Sequence, residues 1–565
     1  MIRRAMMAAA LVSALLAVAA CGSGGNAPKR ISVEPPQPTI TAATRYVPPV
    51  RKPNILVIEA DDMRTDELKF MPNVRKLIGA RGLTFQNSFA PYPLCCPSRS
   101  SFLSGKYAHN HHVLGTSSPF GFQSFDDHQT LATVLQGAGY QTALIGKYLN
   151  GYAEQHVFGS HKSSRRYVPP GWTQWMGGSD HLYPVSSPLH GGTYNYWSMT
   201  QVINGKVVPH RGRYSTDVTA QQTRTTLTQF GNKKKPWFIW WTPVAPHFGS
   251  PHERDDPKPL RGTDGKLETF KTPARPTWVR GRFDKQITHA LGQPAHGPAE
   301  ADMSDKPKFL RIKPEMTSAE KAALTKVSRQ RAEAIYVLDK QIAVTIDRLQ
   351  KSGQYNNTII AFTSDNGYFL GEHRKRQGKI LAHEPSLRVP FLIAGPGIRH
   401  GTRYDPITTI DMAPTFAAYA GLPSMPQADG VSMVPVINKG DQGWARPVVT
   451  EGYMGDAGYQ QFTRPGFHTA LNSRGIRTAR YKYVKYSTGE VELYDLKTDP
   501  LELNSRQRDP AYAAVMRKLD ALWTRYYNCK QASCATPMPK EFRATAQQER
   551  AITDNEATRT AQYYK

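Results

Sequence analysis

Four apolar runs, each ending in polar residues, constrain what this chain can fold into. Asn54–Glu59 leads into Asp61-Asp62, and Thr358–Thr363 leads into Ser364-Asp365-Asn366-Gly367. Trp237–Trp241 is followed by Ala245-Pro246-His247, and Thr142–Ile145 by Gly146-Lys147. Apolar runs without alternation suit strands covered on both faces, as in a parallel α/β sheet. Met71–Gly82 and Ala332–Leu349 have a helical pattern and supply covering layers, while Gly353 and Asn356-Asn357 break the chain before the second acidic strand. Ligands of such sheets sit beyond the carboxyl ends of the strands. Asp61, Asp62, Asp365, Asn366, His247 and Lys147 are therefore expected along one edge. The predicted fold class is α/β, a large mixed, mostly parallel sheet sandwiched by helices, with a smaller C-terminal α+β subdomain.

Asp61, Asp62, Asp365 and Asn366 offer four oxygen donors. Ca²⁺ and Mg²⁺ take oxygen ligands, and the absence of His and Cys from the quartet argues against zinc. One Asp-Asp or Asp-Asn pair after a strand is usually a turn or a helix cap; two pairs at two strand ends point to a metal. Between them in sequence lies Cys95-Cys-Pro-Ser-Arg99. Pro97 suits the first turn of a helix that continues over Ser98–Leu103. Cys95 would then lie just before a helix N-terminus, where unpaired amides and the dipole favour an anion. Arg99, one turn in, can reach back with its fork of donors. Adjacent cysteines by themselves are most often buried small hydrophobes.

The ends of the chain suggest export. Arg3 and Arg4 precede the apolar, Ala-rich run Ala5–Ala20, and Val18-Ala-Ala-Cys21 resembles a bacterial lipobox. The expectation is a signal peptide over 1–20 and a lipid on Cys21 that holds an exported protein at the cell surface or membrane. A Gly-, Pro-, Ser- and Thr-rich tether over 21–51 follows, then a catalytic domain over 52–440, then a C-terminal subdomain and tail over 441–565. Of five cysteines, Cys529 and Cys534 are close enough for a small-loop disulfide in an exported chain. The net charge of +27 favours anionic surroundings or substrates. The basic residues are scattered, without a Lys/Arg block interleaved with aromatics, so nucleic acid is not an expected partner.

Taken together, Asn54–Asp62, Cys95–Gly105, Gly139–Thr142 with Gly146-Lys147, Ala245–His247, Ser364–Gly367, Gly371–His373, Lys379, Ser386–Pro390 and Asp411–Pro414 resemble the formylglycine-dependent sulfatases of the alkaline-phosphatase-like superfamily. The likeness runs from about Lys52 to Leu503, and Ile476–Thr478, Tyr481–Tyr483 and Glu492–Leu496 are similar to that family's small C-terminal subdomain. Leu94–Lys106, His109–His112, Gly146–Asn150, Tyr167–Trp172 and Ile203–Gly205 are similar to the N-acetylglucosamine-6-sulfatase branch.

The resemblance implies roles. Asp61, Asp62, Asp365 and Asn366 correspond to the ligands of Ca²⁺ or Mg²⁺. Cys95 corresponds to the residue a formylglycine-generating enzyme oxidises, whose hydrated aldehyde is the nucleophile and also faces the metal. Arg99 corresponds to the group stabilising that hydrate. Lys147, His247 and Lys379 correspond to groups that hold the sulfate and assist the leaving oxygen. The implied substrate is a sulfate monoester on a sulfated small molecule or glycan. Two departures stand out: Ser104-Gly105 replaces Thr-Gly, and Leu149 stands where many relatives have a histidine that helps expel sulfate. Asn150, His109, His111 and His112 are candidates to substitute for it. Two other readings stay open: a phosphonate monoester or phosphodiester hydrolase with the same nucleophile and metal, and a non-catalytic lipoprotein that binds sulfated glycans.

Overall fold

A computed structural model describes residues 29–38, 52–233, 235–423, 425–454 and 471–565. The expected signal peptide and Cys21 lie outside the described residues. Within the expected tether, the Ile31 amide donates to the Gly212 carbonyl, and Glu34 pairs with Lys340 at 2.7 Å.

The four apolar runs form the centre of a ten-stranded sheet, as Thr358–Ser364, Asn54–Ala60, Trp237–Thr242 and Gln141–Gly146 in spatial order. All three neighbouring pairs are parallel, and their register aligns Ala60 with Ser364, Ile58 with Trp241 and Gly146 with Thr242. The four carboxyl ends therefore share one edge. Phe391–Ala394, Leu83–Phe85 and Gly401–Arg403 extend the sheet on one side. Gln174–Gly178, Ser198–Ile203 and Lys206–Arg211 extend it on the other. Antiparallel pairs appear only in these flanks, which makes the sheet mixed but parallel at its core.

Successive residues of the central strands enter opposite layers. Ile55, Val57, Leu144, Phe238, Trp240 and Ile359 pack with Phe102, Leu131 and Phe416, from the helices Cys95–Ser104, Leu131–Gly137 and Thr409–Tyr419. Leu56, Ile58, Ile239, Trp241 and Ile360 pack with Leu227, Ile335, Leu338 and Ile342, from Ser215–Gly231 and Ser318–Lys351. Burying each such side chain contributes about 1.5–3 kcal/mol, and two-sided burial is why the runs lack an apolar–polar alternation.

Three helix expectations shift. The 71–82 helix is the shorter Pro72–Leu77 followed by a 3₁₀ turn at Gly79–Arg81. The chain must enter the sheet there, and a Cβ on Gly82 would lie 2.1 Å from the Ile393 carbonyl oxygen. The 332–349 helix starts at Ser318, where Thr317 and Glu320 form a reciprocal capping box. The helix expected over 98–103 is Cys95–Ser104, so Cys95 is its first residue rather than the one before it.

The C-terminal part adds a four-stranded antiparallel sheet, Val448–Met454, Leu471–Arg477, Tyr481–Tyr486 and Val491–Asp495. Leu519, Leu522 and Tyr526 of the helix Ala513–Tyr526 pack on its Tyr483 and Val484. Cys529 and Cys534 form the expected disulfide. Among the described residues no helix is long and apolar enough to cross a membrane.

Candidate active site

The two acidic strand ends meet. The Asp62 amide donates to Asp365 Oδ1 at 3.0 Å, the Met63 amide to Ser364 Oγ at 2.8 Å, and Asn366 Nδ2 to Asp62 Oδ1 at 2.7 Å. Asp62 has φ +67, a left-handed conformation that Asp tolerates better than most residues. Arg331, from the middle of the long helix, fixes that turn: Nη2 donates to the Asp62 carbonyl at 2.6 Å and Nε to Glu67 Oε1 at 2.8 Å. Nothing in the helical pattern of 318–351 marks Arg331 from sequence.

Cys95 opens its helix directly over this pair. Its Sγ lies 3.3 Å from Asp61 Oδ1, 3.7 Å from Asp62 Oδ1 and 2.7 Å from Lys379 Nζ. Burial, reinforced by the Asp61 charge, pushes the thiol pKa well up. Arg99 is fully buried one turn later. Its Nε donates to Asp365 Oδ2 at 2.8 Å and Nη1 to the Lys147 carbonyl at 3.2 Å, while Nη1 stands 3.4 Å from Glu59 Oε1. The fork thus clamps a strand end, and Nη2 alone is left without a partner. Glu59 sits inside the first strand run. Burial pushes its carboxyl up to about 8 despite the Arg99 guanidinium.

Lys147 arrives from the third strand end, with Nζ donating to Asp61 Oδ2 at 2.7 Å. Gly146 makes this approach possible: its φ is +120, and a Cβ would lie 2.2 Å from the Thr242 carbonyl oxygen. His247 follows the fourth strand. Its Nδ1–H donates to the Phe248 carbonyl at 2.6 Å, so Nε2 faces the site, 3.6 Å from Asp62 Oδ2. Burial outweighs the nearby carboxylates and lowers its pKa to about 4. Lys379 comes from the loop after Gly371 and donates to Asp62 Oδ1. The next residue, Ile380, has φ +86, a strained conformation for a β-branched residue that helps hold the loop turned inward. All nine residues singled out from the sequence therefore converge.

Tyr194 and Asn150 border the site beside Leu149, where the family resemblance implies a histidine. Leu149 is buried in the hydrophobic layer under the sheet. Asn150 beside it donates from Nδ2 to Tyr194 Oη at 2.5 Å. The Tyr194 ring lies 5.0 Å from Lys147 Nζ and 4.6 Å from the His247 ring. Tyr194 sits in a loop between edge strands and carries no sequence signal. The neighbouring histidines serve the scaffold. His109 bonds Glu451 at 2.8 Å and the Cys529 carbonyl at 2.7 Å, and His111 bonds Ser101 Oγ at 3.0 Å.

The donor set fits a hard divalent cation. Asp61, Asp62 and Asp365 are buried carboxylates, and Asp62 Oδ2 and Asn366 Oδ1 are buried with no hydrogen-bond partner. Ligand atoms of Asp61, Asp62, Cys95 and His247 all lie within 4.8 Å of one another. Arg99, Lys147 and Lys379 each pair with one of the three carboxylates. A divalent ion added to that balance leaves the site positive, which favours an anionic group next to Cys95.

Comparison with known proteins agrees with this geometry. The family described as Sulfatase matches residues 53–422, and that described as N-sulphoglucosamine sulphohydrolase, C-terminal, matches residues 371–528. The chain is similar to an arylsulfatase of Volvox carteri, at 28% identity over 530 residues, covering 88% of this chain and 77% of the relative. It is also similar to N-acetylglucosamine-6-sulfatase of Homo sapiens, at 28% identity over 526 residues, covering 86% of each. A solved structure of a protein in complex with its substrate D-glucosamine-2-N,6-O-disulfate shares the fold, with a TM-score of 0.59, 22% identity and coverage of 84% of this chain and 97% of that one. The match over residues 53–422, on a sheet edge that gathers the expected polar groups, shows that this chain belongs to the sulfatase family and is a sulfuric ester hydrolase.

Proposed function

We propose that the enzyme removes sulfate from a sugar, at the primary 6-hydroxyl of a glucosamine unit, with Cys95 matured to formylglycine and Ca²⁺ or Mg²⁺ held by Asp61, Asp62, Asp365 and Asn366. The observation that carries this reading is the position of Cys95 Sγ, within 3.3 Å of Asp61 and 2.7 Å of Lys379, at the first residue of a buried helix. The sugar assignment is supported by the relative named N-acetylglucosamine-6-sulfatase and by the disulfated glucosamine in the similar structure.

When bound, the cation supplies a Lewis acid for a sulfate oxygen and lowers the pKa of the attacking hydroxyl. The formylglycine hydrate supplies two hydroxyls on one carbon, one to attack sulfur and one to regenerate the aldehyde. The chain's own residues do the rest. Asp365, held by Arg99 and by the Asp62 amide, is placed to take the nucleophile's proton. Lys147 and Lys379 present ammonium groups to the equatorial oxygens, in a buried site where such charges act strongly. Arg99 Nη2 remains as a further donor. Lys379 is the ammonium group available to pass a proton to the leaving oxygen; His247, neutral with its proton on Nδ1, can do so only after Nε2 has taken one up. The Tyr194 ring and Asn150 fix the Lys147 and His247 side of the site. Outside the site, the reading requires a formylglycine-generating enzyme during maturation. It also places the mature chain outside the cytoplasm, held by lipid on Cys21, on the strength of residues 18–21.

The test is kinetic. Enzyme co-produced with a formylglycine-generating enzyme is assayed with glucosamine-6-sulfate, an aryl sulfate and an aryl phosphonate monoester. The proposal expects the matured enzyme to turn over the sugar sulfate as well as the aryl sulfate, and turnover of the phosphonate well below both sulfates. Faster phosphonate than sulfate hydrolysis would replace the sulfate reading with the phosphoryl one. Binding of the sugar sulfate without turnover by matured enzyme would favour the glycan-binding role.

A further inference from the structure

A second group of acids lies apart from the catalytic edge, where the last helix of the chain docks on the body. The Trp444 amide donates to the Ala544 carbonyl at 2.8 Å, and the Ala544 amide returns a bond to the Trp444 carbonyl at 3.1 Å. This short antiparallel bridge sets the first turn of the helix Ala546–Tyr563 against the segments around Asp405 and Asp441. Carboxylate oxygens of Asp405, Asp441 and Glu549 all lie within 4.8 Å of one another.

Asp405 and Asp441 are held in place by backbone. The Gln442 and Gly443 amides donate to Asp405 at 3.0 Å, and the Tyr404 and Asp405 amides donate to Asp441 Oδ1 at 2.9 and 3.3 Å. Glu549 is different. It is 0% exposed, and neither of its carboxylate oxygens has a hydrogen-bond partner. It points at the other two acids with no protein donor to satisfy it, so it needs either a proton shared with Asp405 or a bound cation. Among the described residues no cation is ion-paired with the trio, although the Arg403 charge acts on Asp441 from a distance. Arg403 is nearest in sequence, but its guanidinium donates to the carbonyls of Thr402, Val436 and Ile437. Arg550 faces Asp554 and the Tyr404 ring.

We propose that Asp405, Asp441 and Glu549 form a second divalent-cation site, for Ca²⁺, that fastens the C-terminal helix to the catalytic body. The donors are all oxygen, as Ca²⁺ and Mg²⁺ require. Asp441 is only partly buried, which gives the ion an entry path and room for water. Ca²⁺ accepts an irregular, partly hydrated set of carboxylates, whereas Mg²⁺ demands near-octahedral geometry. Because Glu549 is carried by the last helix, occupancy of the site is coupled to docking of that helix, and ion binding becomes folding free energy.

The competing account is a single proton shared between Glu549 and Asp405, and Glu549→Gln separates the two. A glutamine amide can donate to Asp405 in place of the shared proton, but it removes a charged ligand. Calcium content is measured on the full chain, equilibrated with Ca²⁺ and freed of excess, for the parent protein and Glu549→Gln, each with and without Asp365→Ala. The proposal expects one calcium fewer per chain on Glu549→Gln in both backgrounds, and loss of part of the Ca²⁺-dependent rise in Tm. The Asp365→Ala background keeps this result independent of the catalytic ion. Unchanged calcium content in Glu549→Gln, or a higher Tm for it both with and without Ca²⁺, overturns the site in favour of the shared proton. If Glu549→Gln does not fold, Asp441→Asn, at the partly exposed ligand, must weaken calcium binding; unaltered affinity there overturns the proposal equally.

Discussion

Gly146→Ala is expected to damage both stability and turnover, although it adds one methyl group. The added Cβ would stand 2.2 Å from the Thr242 carbonyl oxygen and 2.7 Å from its carbonyl carbon, both backbone atoms of the adjacent parallel strand. The residue would also have to keep φ near +120. Left-handed strain costs about 1–3 kcal/mol and overpacking about 1–3 kcal/mol. Parting the strand ends loses the Lys147 amide bond to Thr242, 2.9 Å long, worth about 1 kcal/mol. The expected loss is therefore roughly 3–7 kcal/mol of unfolding free energy. Lys147 is the next residue, so separating the strands shifts its Nζ away from Asp61, and a displacement of about 1 Å at a catalytic group can lower the rate roughly 10²-fold. Urea unfolding gives the first quantity and kcat/KM on an aryl sulfate the second. Gly137→Ala is the control: a Cβ there meets nothing within 4 Å, at the end of the Leu131–Gly137 helix, so stability is expected to stay level or rise by about 0.5–1 kcal/mol. A Gly146→Ala protein within about 0.5 kcal/mol of the parent, the range of a neutral surface change, with full activity, would refute the idea that close strand approach delivers Lys147.

Three other outcomes follow from the geometry. Asp127 is buried, which holds its carboxyl up at about 6 against an ordinary 3.8. Its folded form therefore binds the proton more tightly, and stability falls as pH rises from about 4 through about 6, by up to about 3 kcal/mol. Asp127→Asn should flatten that slope in Tm-versus-pH curves and raise stability at pH 7; an unchanged slope would contradict it. Replacing Cys529 by Ser opens the short loop closed by the Cys529–Cys534 disulfide and should cost about 2 kcal/mol in denaturant unfolding; no change in midpoint would show that the packing around it suffices. His247→Ala and Lys379→Ala should each slow a sugar sulfate more than an aryl sulfate, because only the poor alkoxide leaving group needs a proton. Equal losses on both substrates would leave these residues as sulfate binders alone.

The sheet centre was legible because helices cover both faces of Asn54–Ala60, Thr358–Ser364, Trp237–Thr242 and Gln141–Gly146, which makes their middle positions apolar on both faces. Polar residues where such runs stop are conspicuous, and Asp61, Asp62, Lys147, His247, Asp365 and Asn366 were found on that signal. Cys95 and Arg99 came from the Cys-x-Pro-Ser-Arg spacing, and Lys379 from the family resemblance alone. The flanking strands Leu83–Phe85 and Gly401–Arg403 are too short to leave a period. Ser318–Lys351 was read as half its length, because its first turns are rich in Lys, Arg, Ser and Thr and only one stripe of them is buried. Arg331, Glu59 and Tyr194 were illegible for one shared reason. Each acts through partners distant in sequence, Asp62, Arg99 and Lys147 respectively, and a lone charged or aromatic residue in a helix, strand or loop says nothing about who meets it.

The central claim is that Cys95 works as formylglycine rather than as a thiol. The direct measurement is the mass of the tryptic peptide that contains Cys95, from protein active on a sulfate ester, with Cys95→Ala and Cys96→Ala proteins alongside. The account predicts a peptide lighter by roughly 18 Da, opposite in sign to the oxygen-adding oxidation ladder of cysteine. The lighter form should persist in Cys96→Ala, together with activity, and both should vanish in Cys95→Ala. A peptide of unmodified mass from fully active protein, or activity that survives Cys95→Ala, would contradict it.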